Sequence, residues 1–239
     1  MTQNGRDVVS PSRRRFLAAF GAGAASLAGC LGGQAGMGVE DGTTANDGGP
    51  SLADHPALAG VADQPRLGPD PASATATIVA FEDPSCPRCA VFERETVPKI
   101  RTELVDTGQA AFVFRGYPVV YPWGEPATQA LEATFARDAA AFWALAGHYF
   151  ETQRAFDEDN VLDRTRSFLA AETDVDADAV VADAEANAYD DAVQVDLDAG
   201  EEAGAGRTTP TVFLFRDGQY QTKAAGSVSF DVVRSALGL

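Results

Sequence analysis

The chain has 239 residues, 45% of them apolar, enough for one good-sized domain with a real core plus appendages. Its formal net charge is −17 and the acidic residues are spread along its length, which argues against nucleic-acid binding, because phosphate neutralisation needs positive charge. Lys99 and Lys223 are its only lysines while Asp, Glu and Ala abound, a composition that reads as a protein built for high salt, where self-repulsion is screened at short range.

At the N-terminus, Ser12-Arg13-Arg14-Arg15-Phe16-Leu17 precedes a mildly apolar stretch over 18–29. This resembles a twin-arginine export signal, whose paired arginines are read as an address. The apolar stretch is too short to cross ~30 Å of hydrocarbon. It ends in Leu27-Ala28-Gly29-Cys30, which resembles a lipobox. In such signals the chain is cut before the cysteine, and the cysteine carries lipid. Residues 1–29 are therefore expected to be a signal peptide and Cys30 a lipidation site. From 31 to about 60 the chain is rich in Gly, Ala, Asp, Thr and Asn, with no hydrophobic period of 2 or 3.6. Residues 30–65 are expected to form a flexible tether, with His55 a solvated loop histidine.

The domain proper is expected over 66–239. Residues 66–71 are a turn-rich entry. A short, largely apolar run over 75–81 reads as a buried strand. Glu82-Asp83-Pro84-Ser85 follows, then Cys86-Pro87-Arg88-Cys89, then a helical pattern over 90–104 that Pro98 should kink. A Cys-x-x-Cys thus sits where a strand ends and a helix begins. Unpaired N–H groups and the positive end of the macrodipole stabilise an anion there. Such placements lower a cysteine pKa from ~8.5 into the range of roughly 3.5–7.5. Pro87 suits the first helical position, where its missing N–H costs nothing. Cys86 reads as an exposed, reactive cap. Cys89 is close enough to close a disulfide with it and more shielded. Half of a zinc site and two inert buried thiols are the other readings of the pair. A zinc site usually needs four ligands, and the strand-to-helix setting favours redox chemistry.

Residues 111–114 read as a second strand. A loop over 121–124 follows, and a broken helical region then runs from 126 to about 198, with Leu131, Phe135, Phe142, Leu145, Tyr149 and Phe150 on its apolar face. His148 within it reads as a hydrogen-bonded packing residue rather than a catalyst. Asp174, Asp176, Asp178, Asp183 and Glu185 lack the glycine and terminal glutamate of a calcium loop, so they read as a solvated face. Thr208-Thr209-Pro210 opens a third strand, Asp217-Gly218 is a hairpin turn, and a return strand and closing helix follow.

Together, residues 66–239 resemble the thioredoxin superfamily, in particular its DsbA-like branch. The resemblance rests on Phe-Glu-Asp-Pro-Ser-Cys-Pro-Arg-Cys over 81–89, Ala-Phe-Trp at 141–143, Thr-Thr-Pro before Val-Phe-Leu-Phe, and the final hairpin and helix. It implies an α/β thioredoxin-like sheet with an inserted helical subdomain at about 124–198. It also implies that Cys86 attacks, Cys89 resolves, and a cis Pro210 faces them, with Thr209 before it. Pro87 and Arg88 tune the site, Arg88 adding positive charge beside the thiolate. In the family a buried carboxylate often stands six residues before the first cysteine and manages the proton of the second. Here that position is Ala80, which leaves Glu82 or Asp83 to substitute, or nothing.

The expected activity is thiol–disulfide exchange outside the cytoplasm, with a redox disulfide between Cys86 and Cys89, in the direction of oxidation. No cofactor and no metal are expected. The expected partners are exported proteins bearing thiols or disulfides, an unidentified redox partner, and the outer face of the cell membrane through lipid on Cys30. A reductase or isomerase of the same fold, or a lipoprotein whose cysteines carry Cu(I), is the alternative.

Overall fold

The computed structural model describes residues 51–226 and 228–239. The expected signal, Cys30 and the first part of the expected tether lie outside these residues. Five strands, β1 (Arg66–Leu67), β2 (Ala76–Glu82), β3 (Ala110–Gly116), β4 (Thr211–Arg216) and β5 (Gln219–Ala225), form one sheet in the order β1-β3-β2-β4-β5. The central strand β2 is buried along its whole length, as its largely apolar run favours, with Thr77 and Glu82 buried too. It runs parallel to β3 and antiparallel to β4. The β4–β5 hairpin turns at Asp217 and Gly218, whose φ values of 50° and 75° are both left-handed, as a two-residue hairpin turn demands. The short β1, hidden in the turn-rich entry, pairs antiparallel with β3.

From β2 the chain enters α1 (Pro87–Glu95), then α2 (Val97–Ile100) and a π-helical turn, Arg101–Val105. The expected kink falls at Thr96, with Pro98 in the first turn of α2, where a missing N–H is tolerated. Between β3 and β4 lie five helices: α3 (Gly124–Phe135), α4 (Ala139–Glu151), α5 (Val161–Glu172), α6 (Ala177–Glu185) and α7 (Asp190–Glu202). The helices thus begin at Gly124, two residues before the expected helical pattern, and end slightly beyond 198. Its acidic run has structural partners: Asp176 caps α6 through Ala179 N at 3.0 Å, Asp178 pairs with Arg166 at 2.9 Å, and Asp183 pairs with Arg137 at 2.6 Å. His148 packs as expected, stacked on Phe168 with ring centroids 4.1 Å apart, but its ring makes no hydrogen bond among the described residues. A last helix, α8 (Phe230–Leu237), is capped by Ser229.

Three apolar cores result. On one sheet face, Ala76, Ile78, Ala80 and Phe112 pack against Phe92 of α1, Ile100 of α2 and Leu104 of the π-helical turn, and against Val233 and Leu237 of α8. On the other, Val79, Phe81, Val113, Phe213 and Phe215 meet Ala57, Leu58, Tyr117 and Ala199. The third core is helical and includes Phe142, Leu145, Tyr149 and Phe150 of α4, with Cys86, Cys89 and Ala90 against it.

The second core overturns one expectation. The chain is already packed from Ser51, so the tether cannot extend to 65. Leu52 N donates to Gly218 O at 2.7 Å, beside an antiparallel bridge between Ser51 and Gln219. His55, expected to be solvated, is 8% exposed. Its Nδ1 accepts from Ala57 N at 3.2 Å, and its ring lies 5.0 Å from Phe215 and 4.6 Å from Tyr220. The cause is the bare aromatic face of the β4–β5 hairpin, which the segment before β1 covers.

A buried ion pair joins the insertion to the sheet. Arg115 Nε donates to Asp196 Oδ1 at 2.8 Å, and both side chains are fully buried. Asp196 also accepts from Gly116 N at 2.8 Å and Gln64 Nε2 at 2.9 Å, while Arg115 Nη1 reaches Ala57 O at 2.8 Å. This fixes α7 to the C-terminal end of β3, where the chain turns toward the cysteines.

Candidate active site

β2 ends at Glu82, and four residues later Cys86 caps α1 with extended backbone (φ −77°, ψ 120°) and Pro87 at the first helical position. Cys86 and Cys89 are both free thiols. Cys89 is fully buried, as expected. Cys86, expected to be exposed, is only 2% exposed. The loop before β4 folds over it: its Sγ lies 3.4 Å from the carbonyl oxygen of Thr209, and the Thr209–Pro210 peptide is cis. The two segments are 123 residues apart in the chain, and the pairing of β2 with β4 brings them together.

The thiols differ sharply in acidity. Cys86 is held down to about 5 from an ordinary 9.0. The hydrogen bond from the Cys89 thiol is the largest cause, and burial opposes it. Thr209 and the main-chain N–H groups of Cys89 and Arg88 also favour the thiolate. Arg88 thus acts on the sulfur through its backbone at the helix terminus. Its guanidinium extends toward Gly226. Cys89 is pushed well above its ordinary range by burial first, then by its bond to Cys86 and by the charges of Glu82 and Cys86.

The turn between strand and helix is clamped from two sides. Asp83, fully buried, accepts from Ser85 N at 2.7 Å, Ser85 Oγ at 2.6 Å, Val119 N at 2.8 Å and Val120 N at 2.7 Å. Burial raises its pKa, and these bonds oppose the rise. Ser85 Oγ in turn accepts from Tyr121 N at 3.0 Å. A Cβ on Gly124 would lie 2.4 Å from Asp83 Oδ1, so only glycine allows this approach at the start of α3. From the insertion, Gln153 Nε2 donates to Pro84 O at 2.7 Å and Cys86 O at 3.0 Å. Sequence reasoning missed both clamps. Asp83-x-Ser85 is a local turn signal, since such side chains bond the backbone two residues on. Gln153 has no such signal, because its partners lie 67 and 69 residues away.

Glu82, at the end of β2, is fully buried and neither carboxyl oxygen receives a hydrogen bond from an N–H or O–H donor among the described residues. It shares a sheet face with Ala80, because side chains two apart on a strand point the same way. A carboxyl therefore stands on the expected face, one pleat nearer the cysteines than position 80.

The sequence profile of the family described as Thioredoxin matches residues 65–228. Disulfide bond formation protein D of Bacillus subtilis is 27% identical over 152 residues, 63% of this chain and 67% of that protein. The probable disulfide bond formation protein D of Bacillus anthracis is 26% identical over 91 residues, 38% of this chain and only 41% of that protein. Among solved structures, oxidised BdbD from Bacillus subtilis superposes with a TM-score of 0.66 at 22% identity, covering 74% of this chain and 92% of its own. The structure of alpha-DsbA1 from Wolbachia pipientis gives 0.62 at 20% identity, covering 73% and 91%. With its five-stranded sheet, its helical insertion and its pair of unequal thiols at a helix terminus, the chain belongs to the thioredoxin family, as a DsbA-like thiol–disulfide oxidoreductase.

Proposed function

We propose that this protein forms disulfides in exported proteins through Cys86 and Cys89, with Thr209 and Pro210 facing the reacting sulfur, and that lipid on Cys30 holds it at the outer face of the membrane. The carrying observation is the split in acidity, with Cys86 at about 5 and Cys89 far above it. A client thiolate attacks Cys86 in the Cys86–Cys89 disulfide, and Cys89 leaves and takes a proton. A second client thiolate then attacks the client sulfur of the mixed disulfide, and Cys86 departs as a thiolate. The client loses two electrons and the enzyme gains them. A low leaving-group pKa speeds that last step, and stabilising the reduced thiolate makes the disulfide a stronger oxidant. A redox partner then restores the disulfide.

Equilibration against glutathione buffers at high salt tests the direction. A potential nearer roughly −120 mV supports oxidation, and one near −270 mV, about that of thioredoxin, defeats it. Cys89→Ala should trap mixed disulfides with clients through Cys86. Absence of any trapped species would remove Cys86 and Cys89 from their assigned roles.

A further inference from the structure

The surface beside Cys86 does not share the acidity of the chain, whose formal net charge is −17. A groove of about 730 Å³ runs between α1 and the segment that leaves α4. One side of it is a single stripe of α1, because Pro87, Ala90, Val91 and Arg94 recur at helical spacing. Val91 in that stripe is 40% exposed. The other side includes Glu151, Gln153 and Arg154. Gln153 is the residue that donates to Pro84 O and Cys86 O, so this side is tied to the turn that carries the reacting thiol. Arg94 and Arg154 are exposed, and neither is ion-paired among the described residues, whereas Arg115, Arg137 and Arg166 all are. Two positive charges thus line the groove against one carboxylate, Glu151. The cavity formed by the residues that follow, with Tyr121, Trp123 and Phe156 in its wall, carries only the negative charges of Asp157 and Glu158.

We propose that this groove docks an acidic, extended segment of the client beside its reacting cysteine, with client carboxylates on Arg94 and Arg154. The proposal rests on the exchange chemistry above and names the clients that chemistry favours. A chain whose cysteines are still unpaired is not fully folded, so it offers extended segments. The groove sets their register. Cys86 caps α1, and a rise of about 1.5 Å per residue puts Arg94 about 12 Å along the helix from it. An extended chain covers that distance in about four residues at ~3.3 Å each. Arginine suits the task, because its planar fork takes a carboxylate through two parallel hydrogen bonds. Contact of this kind matters in high salt, where charge is screened over ~3 Å at 1 M and only touching groups still attract. Glu151 repels an acidic occupant and so weakens the grip. The apolar floor at Pro87, Ala90 and Val91 receives the uncharged part of the segment.

The test uses oxidised full-length protein and short peptides at constant high salt. Each peptide carries one thiol, so two are joined as the enzyme disulfide is reduced. One peptide has Asp at the fourth residue on either side of its cysteine, a second has Asn there, and a third has Lys. Loss of the enzyme disulfide is read by alkylation and mass. Each rate is divided by that peptide's rate with a small uncharged disulfide, which removes differences in thiol acidity. The Asp peptide should react about threefold to fivefold faster than the Asn peptide, the scale of exposed ion pairs, and the Lys peptide should be the slowest. Arg94→Gln and Arg154→Gln should each shrink that preference and leave the Asn peptide within about twofold. Glu151→Gln should enlarge it. Arg94→Glu should reverse the order in favour of Lys, which a merely loosened fold would not do. Equal normalised rates for the Asp and Asn peptides with the wild-type protein overturn the proposal. So does a preference that survives intact in both glutamine variants of the arginines. A protein that oxidises none of the peptides, the Asn peptide included, defeats the exchange reading and the groove with it.

Discussion

The reduction potential should change with pH by about 30 mV per unit above pH 5 and by about 59 mV per unit below it. The oxidised pair binds no proton. The reduced pair binds one proton, on Cys89, wherever Cys86 is ionised, and two below about 5, where Cys86 is protonated. For a two-electron couple each proton taken up contributes about 30 mV per pH unit. The sign follows from linkage. A group whose folded pKa is depressed stabilises the fold above its unfolded value and loses that contribution as pH falls through the folded value. At pH 7, two units above the value of about 5, the thiolate stabilises the reduced fold by about 2.7 kcal/mol, or roughly 60 mV. The assay is equilibration with glutathione from pH 4 to 9 at constant high salt, with the reduced fraction read by alkylation and mass. A slope of about 59 mV per unit maintained between pH 6 and 8 would mean that Cys86 is an ordinary thiol, and the acidity argument would fail.

Asp196→Ala leaves the Arg115 charge buried and Gly116 N unpaired, and should cost about 3–5 kcal/mol in denaturant unfolding; a loss below about 1 kcal/mol would mean that the pair is already solvated. Gly124→Ala forces a methyl group against Asp83 Oδ1 and Ser85 Oγ, and should cost about 1–3 kcal/mol by the same assay, with slower exchange at Cys86 as the turn loosens. Cys30→Ser should release the protein from membranes in a fractionation experiment without changing the potential of Cys86 and Cys89. Retention at the wild-type level would point to an uncleaved anchor.

Much of the site was legible from local chemistry. A buried strand, a Cys-Pro-x-Cys and a helical pattern in succession place a thiol at a helix N-terminus whatever surrounds it, and Asp217-Gly218 permits little but a tight hairpin. These features depend on neighbours within a turn or two, so the sequence alone determines them. Even the carboxyl at position 82 is local, since strand alternation puts it on the face of Ala80. The tertiary structure decided what depends on distant partners. Cys86 is buried because β4 delivers Thr209 and Pro210 over it. His55 is packed because the hairpin presents bare aromatic rings to a segment whose own composition carries no periodic signal. Gln153 and Asp196 find their roles across 67 and 81 residues, respectively, through the docking of the helical insertion on the sheet. The acidity of Cys86 joins both levels: the N–H groups that aim at its sulfur are written in the local sequence, whereas its burial and its contact with Thr209 exist only once the sheet has closed.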